Sequence, residues 1–237
     1  MKHVTYGLVL ALAVSTNLAG CDSSEEECTP DATYQPAIDP ANFVTLIDNP
    51  LSPFPPGARW VLEGGGETIE VTVTSDTRTI LGVESVVVRD TATVGGEIVE
   101  DTYDWFAQDV DGNVWYMGED TAEYEGGVVV SREGSWEAGV DGAQPGIVMH
   151  GTQPAAGQPY RQEYYACEAE DMAEVVSLDE AVSVPFGEFT HCLKTHEFTP
   201  LEPEANENKY YCQDVGVVLE VDVNTGERTE LTQVTGP

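Results

Sequence analysis

The chain has 237 residues, of which 43 are Asp or Glu and 9 are Lys or Arg, so its formal net charge is −34. A surface this negative repels nucleic acid and anionic lipid headgroups, and we expect neither as a direct partner. The same charge suits a salt-adapted exterior or the attraction of cations.

The first residues are typical of a bacterial export signal. Lys2 precedes an apolar run over 8–14, which is shorter than the about 20 residues of a membrane span. Leu18-Ala19-Gly20-Cys21 resembles the bacterial lipobox, which implies cleavage before Cys21 and lipidation of that cysteine. We therefore expect a signal peptide (1–20), a disordered acidic tether (21–42), and a protein exported and lipid-anchored to the cell envelope. A plain secretory signal with a chance cysteine is the alternative.

Four further cysteines follow Cys21. An even number in an exported protein indicates two disulfides, with three possible pairings of Cys28, Cys167, Cys192 and Cys212. Cys192 and Cys212 fall on neighbouring predicted strands of one half, which favours Cys192–Cys212 and leaves Cys28–Cys167. The sequence has no C-x-x-C spacing, so thiol redox catalysis and a structural zinc site lack support.

Short runs rich in β-branched and aromatic residues alternate with Gly, Asp and Asn turns. Residues 68–74 and 83–88 alternate with period two, and Gly95-Gly96 joins the second run to 98–106 as a hairpin. Asp111-Gly112-Asn113 then turns the chain into 114–117. Strands at about ten-residue spacing predict an antiparallel, all-β architecture.

The chain also repeats itself at an offset of 105 positions. Residues 78–82 match 183–187, and 105–110 match 210–215, which aligns Trp105 with Tyr210. After one deletion 112–114 match 216–218, and the entrance 56–60 resembles 156–160. A chance match is the alternative. We predict two tandem, pseudo-repeated meander lobes, 43–130 and 159–237, forming a curved sheet or open barrel and joined by an inter-lobe loop, 131–158.

Two blocks, 103–120 and 134–146, resemble a widespread family of uncharacterised exported bacterial β-proteins. Tyr210-Tyr211, Gly216 and Leu219-Glu220 are similar to the last strands of that family. The resemblance covers about residues 35–235. It implies an envelope β-protein and no assigned activity.

Enzyme signatures are missing from the sequence. It has no G-x-S-x-G elbow, H-E-x-x-H motif or P-loop, and carboxylate pairs among 43 acids carry little information. We therefore predict no catalytic residue, metal ligand or cofactor.

Two local patterns suggest metal binding only weakly. Asp109-Val110-Asp111 resembles the start of a calcium loop, but Val114 replaces the required glycine, so a hairpin turn is the better interpretation. His191 and His196 flank Cys192 at an odd separation, which places the two rings on opposite faces of a strand. Ordinary strand or disulfide neighbours are the preferred interpretation there.

The aromatic residues favour core packing, with a ligand-binding face as the alternative. Our leading hypothesis is non-enzymatic binding of a small molecule or envelope partner between the two lobes. The candidate ligand-binding residues are Trp105, Trp136, Met149, His150 and Tyr210. One alternative is a cation (calcium)-binding or salt-adapted surface protein. Another is a hydrolase using carboxylates, which requires a cleft with one carboxyl buried and protonated.

Overall fold

The computed structural model describes residues 30–152 and 156–236, and within them almost all regular structure is β. One 3-10 turn, Pro40–Asn42, precedes a sheet of sixteen strands. The strands are Phe43–Val44 (β1), Arg59–Gly64 (β2), Glu67–Ile80 (β3), Val83–Val94 (β4), Glu97–Asp109 (β5), Val114–Glu125 (β6), Val128–Ser131 (β7), Trp136–Glu137 (β8), Gln144–Met149 (β9), Tyr160–Arg161 (β10), Glu163–Tyr164 (β11), Met172–Val184 (β12), Gly187–Phe198 (β13), Asn206–Cys212 (β14), Gly216–Asp222 (β15) and Arg228–Thr235 (β16).

Paired glycines set the tight hairpins. Gly95 and Gly96, with φ of 62° and 87°, form the two-residue turn between β4 and β5, where Val94 faces Glu97. Positive φ at both central residues matches the right-handed twist of the flanking strands and is accessible to glycine at little cost. The predicted hairpin is confirmed, and the four runs assigned to strands lie within β3, β4, β5 and β6.

The sheet curves until its two edges almost meet. Its strand order is β10-β12-β13-β14-β15-β16-β2-β3-β4-β5-β6-β9-β11, with antiparallel neighbours throughout. The two end strands are consecutive in the chain and are separated only by Gln162. Tyr160 pairs with Ala173 on β12, whereas Glu163 pairs with Pro145 on β9. The predicted all-β fold, of curved-sheet or open-barrel type, is confirmed.

The strand order also contains the predicted duplication. The first half runs β2-β3-β4-β5-β6-β9, and the second runs from β10 and β11 through β12-β13-β14-β15-β16. β16 pairs with β2, and β9 pairs with β11, so the end of each half joins the beginning of the other. The two predicted lobes therefore form one continuous sheet. We call the junction where β10 and β11 meet β9 and β12 the seam.

Local irregularities recur at matching places in the two halves. A bulge interrupts the β5–β6 pairing between Trp105 and Phe106, and another interrupts the β14–β15 pairing between Tyr210 and Tyr211. These positions are the ones that the 105-residue offset aligns. Such bulges re-aim side chains, and their shared location supports a common origin of the halves.

The entrances to the two halves also correspond. The backbone N–H of Gly57 donates to the carbonyl of Val73 over 2.9 Å, and that of Gly157 donates to the carbonyl of Val175 over 3.1 Å. The hairpin tips differ from the predicted alignment by one residue. Ile80 faces Val83 in one and Val184 faces Gly187 in the other, which is an offset of 104. Register shifts within both hairpins accommodate the difference.

The segment 131–158, predicted as an inter-lobe loop, contains strands β8 and β9. Ile147 of β9 pairs with Trp115 of β6, which makes β9 the sixth strand of the first half. The apolar run Ile147-Val148-Met149 explains this pairing, because Val148 and Met149 are buried and a loop would leave their surface in water. The loop interpretation is corrected accordingly.

The described end of the predicted tether lies against the seam. The Tyr34 hydroxyl donates to the carbonyl of Pro145 over 2.9 Å, and the backbone N–H of Asp31 donates to the Tyr164 hydroxyl. Nη2 of Arg161 lies 3.3 Å from Oδ2 of Asp31. Residues 30–42 are therefore not the disordered tether that was predicted, because Tyr34 supplies an aromatic ring that packs on the sheet. The predicted signal peptide, Cys21 and Cys28 lie outside the described residues.

An apolar core occupies one part of the enclosed side of the sheet. Phe106 stacks on Phe54 and Tyr116 with ring centroids 4.8 and 4.9 Å apart, and Tyr116 and Met117 are at most 1% exposed. Among residues 30–152 and 156–236, no helix has the length and apolar character needed to cross a membrane.

One predicted disulfide is present in the structure. Cys192 on β13 and Cys212 on β14 are bonded, with Cα atoms 4.4 Å apart, as expected for directly opposed residues of an antiparallel pair. Cys167 also takes part in a disulfide. Its predicted partner, Cys28, is outside the described part of the chain, so that pairing stays a prediction.

Replacing Cys192 and Cys212 together by alanine should lower the free energy of unfolding by about 3 kcal/mol. The bond closes a loop of 20 residues, and removing it restores the conformational entropy of that loop to the unfolded chain. Urea denaturation followed by tryptophan fluorescence measures the change. An unaltered midpoint and slope would contradict the expectation.

Candidate functional site

The enclosed side of the sheet is acidic away from the apolar core. On β5 the alternate residues Glu100, Thr102 and Asp104 are at most 5% exposed, whereas the intervening Tyr103 is exposed. Because side chains on a strand point alternately to opposite faces, the period-two placement of these residues turns two carboxylates inward. Neighbouring strands add further buried acids: Asp90, Glu119, Glu163, Glu197 and Glu220.

Lys209 is the one buried base among the described residues, and it lies among carboxylates of the second half. Its Nζ is 3.0 Å from Glu207 Oε1, 3.3 Å from Glu197 Oε2 and 3.8 Å from Glu220 Oε1. Burial alone would lower the pKa of Lys209, but the attraction of these carboxylates outweighs it and raises that pKa well above its usual value. The ammonium therefore remains charged.

The second-half cluster is further satisfied by hydroxyl groups. The Tyr211 hydroxyl donates to Glu197 Oε1 over 2.7 Å, and the Thr195 hydroxyl donates to the same oxygen over 2.8 Å. Buried charge is tolerated when it is paired and hydrogen-bonded. This half of the interior has both kinds of partner, although Oε2 of Glu220 has no hydrogen-bond partner among the described residues.

The first half and the seam carry buried acids without a comparable base. The Tyr116 hydroxyl donates to Asp104 Oδ1 over 2.6 Å, and Trp136 Nε1 donates to Glu163 Oε2 over 2.8 Å. Burial raises the pKa of Asp104 to about 7. Burial, followed by repulsion from Glu163 and Asp104, raises the pKa of Glu119 well above its usual value.

The two halves place opposite charges at equivalent positions. Asp104 precedes the bulge of β5 as Lys209 precedes the bulge of β14, and the two residues are 105 positions apart. Asp104 pairs across the sheet with Glu119, and Lys209 pairs across it with Glu220. One half therefore opposes an acid to a base, and the other opposes an acid to an acid.

A cavity of about 40 Å³ lies at the seam, lined mostly by residues of the second half. Such a volume exceeds the about 10–15 Å³ that one water needs, but it is far below the about 300–1,000 Å³ of pockets for drug-sized ligands. Six acidic residues line it, and they come from both halves and the seam: Glu119, Glu163, Glu168, Glu170, Asp171 and Glu202.

Glu119, one of the residues that line the cavity, is buried and has an unsatisfied carboxyl oxygen. Glu119 is 2% exposed, and its Oε2 has no hydrogen-bond partner among the described residues. A buried polar atom without a partner costs free energy, so it calls for an explanation such as a bound ion or water. The described residues include no group of three His, Cys, Asp or Glu side chains arranged to hold a metal ion.

The predicted ligand-binding residues do not line this cavity. Trp136 and Met149 are at most 5% exposed and belong to the apolar core. Trp136 still contacts a residue of the cavity wall, because its indole N–H donates a hydrogen bond to the carboxyl group of Glu163.

The other three predicted residues are dispersed. Trp105 is buried beneath the guanidinium of Arg78, whose Cζ is 4.1 Å from the ring centroid. His150 packs edge-on against Tyr160, with centroids 4.5 Å apart. Tyr210 is half-buried next to Lys194. The structure does not bring the five residues together around one hollow.

The Asp109 segment is a hairpin turn, as the sequence analysis predicted in preference to a calcium loop. Asp109 accepts hydrogen bonds from the backbone N–H groups of Asp111 and Asn113, the Asn113 amide and the Trp115 indole. Its carboxylate is thereby engaged by the turn itself. An adjacent groove of about 490 Å³ beside β1 is open to solvent and includes this same turn.

Sequence reasoning did not single out Glu119, Glu163 or Lys209. The chain has 43 Asp and Glu residues, and only burial distinguishes Glu119 and Glu163 from most of the others. Burial cannot be read directly from the sequence. One usable signal was present: Lys209 is one of two lysines in the body of the chain.

Neither a family model, nor a curated protein, nor a solved structure matches this chain. The resemblance to exported bacterial β-proteins accordingly stays a prediction. The function has to be argued from the cavity and its surroundings.

Stability should fall as the pH rises from about 4.5 to about 8. Burial raises the pKa of Glu100 from 4.5 to about 8, so the folded protein holds a proton that the unfolded chain loses at lower pH. The stabilisation is complete below pH 4.5 and is lost as the pH passes the folded value. Glu100→Gln should remove its share, on the order of a few kcal/mol, from this pH dependence.

Thermal unfolding at pH 5, 6, 7 and 8 and constant ionic strength measures the effect. The exposed Glu84 provides a control, since Glu84→Gln makes the same change of side chain without altering a buried group. The same pH dependence in Glu100→Gln and the parent would show that Glu100 is not the titrating group.

Proposed function

We propose that the chain is a lipid-anchored protein of the bacterial cell envelope whose exported domain binds a small cation at the seam, without catalysing a reaction. The observation that carries the binding proposal is the cavity at the seam, whose lining includes six acidic residues, among them the buried Glu119. The anchor is supported by the export signal and by the Leu18-Ala19-Gly20-Cys21 motif.

Size favours a small cation over the other ligands considered. A cavity of about 40 Å³ has no room for a sugar ring or an extended apolar molecule. This argues against the carboxylate hydrolase, even though buried carboxyls of raised pKa are present. It also argues against an apolar ligand closed in by Trp136.

Charge favours the same conclusion. The net charge of −34 concentrates cations around the protein, and the low-dielectric interior strengthens their attraction to carboxylates. The seam position agrees with the hypothesis of binding between the two halves, although carboxylates replace the aromatic residues expected there. A purely salt-adapted surface would not require acids inside the sheet.

Cation binding should raise the melting temperature in a saturable way that depends on Glu119. Calcium, magnesium and ammonium chlorides are titrated separately into the detergent-purified lipoprotein, with choline chloride holding the ionic strength constant. At least one of the three should raise the melting temperature by several degrees in the parent and by much less in Glu119→Gln.

Glu84→Gln again serves as the control, with the same substitution at an exposed position, and it should respond as the parent does. Because any salt screens a charge of −34, equal shifts in the parent and in Glu119→Gln would mean general screening. That result would refute the proposed site.

Cys21→Ser should abolish lipidation. In cells labelled with radioactive palmitate, the parent should carry the label and sediment with membranes, whereas the variant should be unlabelled and released from them. Cys28→Ser is the matched control and should remain labelled. A labelled Cys21→Ser protein would contradict the anchor.

A further inference from the structure

The two junctions between the halves differ in the extent of their strand pairing. β2 pairs with β3 through six residues and with β16 through five. At the seam, β10 pairs with β12 through two residues, and β11 pairs with β9 through two. Backbone hydrogen bonds between paired residues hold neighbouring strands together, so the shorter ladders of the seam contribute less to closure than those of β2. Contacts from outside the sheet matter more at the seam for this reason.

One of the seam pairs also includes a residue without a backbone donor. Pro145 of β9 faces Glu163 of β11, and proline has no N–H group to give to a ladder. The carbonyl oxygen of Pro145 accepts a hydrogen bond from the Tyr34 hydroxyl over 2.9 Å. Tyr34 lies outside the sheet, in the segment that precedes β1. That segment therefore adds a hydrogen bond to the strand of the first half that borders the seam.

We call residues 30–34 the strap, and this segment also contacts the strand that closes the sheet. The ring of Tyr34 packs edge-on against that of Tyr164 in β11, with centroids 5.6 Å apart. The backbone N–H of Asp31 donates to the Tyr164 hydroxyl. Edge-to-face aromatic pairs add to the stabilisation that burial of the rings provides. The strap thus joins β9 to β11, next to the two residue pairs of their ladder.

Arg161 of β10 connects the strap to the second half. Its Cζ lies 4.4 Å from the ring centroid of Tyr164 and 5.4 Å from that of Tyr34. Its Nη2 lies 3.3 Å from Oδ2 of Asp31, and its Nη1 lies 3.4 Å from Oε2 of Glu170, which precedes β12. A guanidinium that is shielded from water attracts both carboxylates and aromatic faces. One side chain therefore contacts the strap, β11 and the approach to β12.

We propose that the strap keeps the seam closed, and that its displacement opens the sheet there while the β2–β16 junction stays closed. The inference concerns the sheet itself and does not depend on whether the cavity binds a cation. Glu163 of β11 and Glu170, the partner of Arg161, belong to the cavity wall. Opening of the seam therefore gives water access to the acidic interior.

The strap is also close in the chain to the proposed lipid anchor. Asp31 is ten positions after Cys21, and ten residues of extended chain span at most about 35 Å. With a lipid on Cys21, the strap lies within that distance of the membrane. Tension in the tether then acts on the strap before it acts on any strand of the sheet. This orientation rests on the proposed anchor, whereas the closing role of the strap does not.

Hydrogen exchange followed by mass spectrometry tests the closing role, with the β2 junction as an internal reference. Tyr34→Ala removes both the ring and the hydroxyl of the strap. In the detergent-purified protein at fixed pH, the backbone amides of 160–165 should exchange at least tenfold faster than in the parent, because the seam opens locally. The amides of 59–64 should change less than threefold. Tyr103→Ala removes an exposed tyrosine of β5 and is the control, which should leave both segments within threefold of the parent.

Two results would overturn the inference. One is unaltered exchange at the seam in folded Tyr34→Ala, and the other is equal acceleration at both junctions, which would mean general destabilisation. If Tyr34→Ala does not fold, Tyr34→Phe decides, because it keeps the ring and loses only the hydrogen bond to Pro145. It should speed exchange at the seam at least threefold more than at the β2 junction, and no difference between the junctions would refute the closing role. No cation is added in these measurements, so their outcome is independent of the cation-binding proposal.

Discussion

Closure of the sheet by residues 160–164 is the constraint on which the interior depends. Two residues of this segment pair with β12 and two pair with β9, so five residues connect the edges of the whole sheet. Without this connection, the acidic side of the strands would face water, and its carboxylates would behave as ordinary surface groups. With this connection, the carboxyl groups are buried. Burial raises their pKa values and makes it costly to leave them without hydrogen-bond partners.

This protein places charged groups in its interior and pairs them with groups of opposite charge or with hydrogen-bond donors. Lys209 is held by three carboxylates, and replacing one member of such a cluster leaves the others with uncompensated charge. The first half and the seam meet the same requirement differently, with the Tyr116 hydroxyl and the Trp136 indole donating to Asp104 and Glu163. One oxygen each of Glu119 and Glu220 is left buried without a hydrogen-bond partner among the described residues.

Much of the fold could be predicted from the sequence because it depends on local chemistry. Paired glycines identified the Gly95-Gly96 turn, alternating residues identified β3, and aligned aromatics revealed the duplication before the matching bulges were visible. The Cys192–Cys212 bond followed from the same strand assignment. The route of β9 was missed because its pairing partner lies across a long glycine-rich connection, where periodicity gives no register.

The candidate site was harder to predict, for a physical reason. Identifying Glu119 requires knowing that β6 turns it inward, that its neighbour across the sheet is an acid and that the space beside it is unfilled. Each of these facts depends on the register of distant strands. Trp136 and Met149 were predicted to contact a ligand, but both side chains are part of the apolar core.

The two places where the halves join are not alike, and the difference has a consequence for binding. At one, β2 is an unbroken strand that pairs with β3 through residues 59–64 and with β16 through residues 59–63. At the other, the equivalent strand is split at Gln162 into two short pieces that serve separate neighbours. The cavity of about 40 Å³ lies at this split strand, with Glu163 of its second piece in the wall. The proposed cation site is therefore single, although the sheet is built from two similar halves.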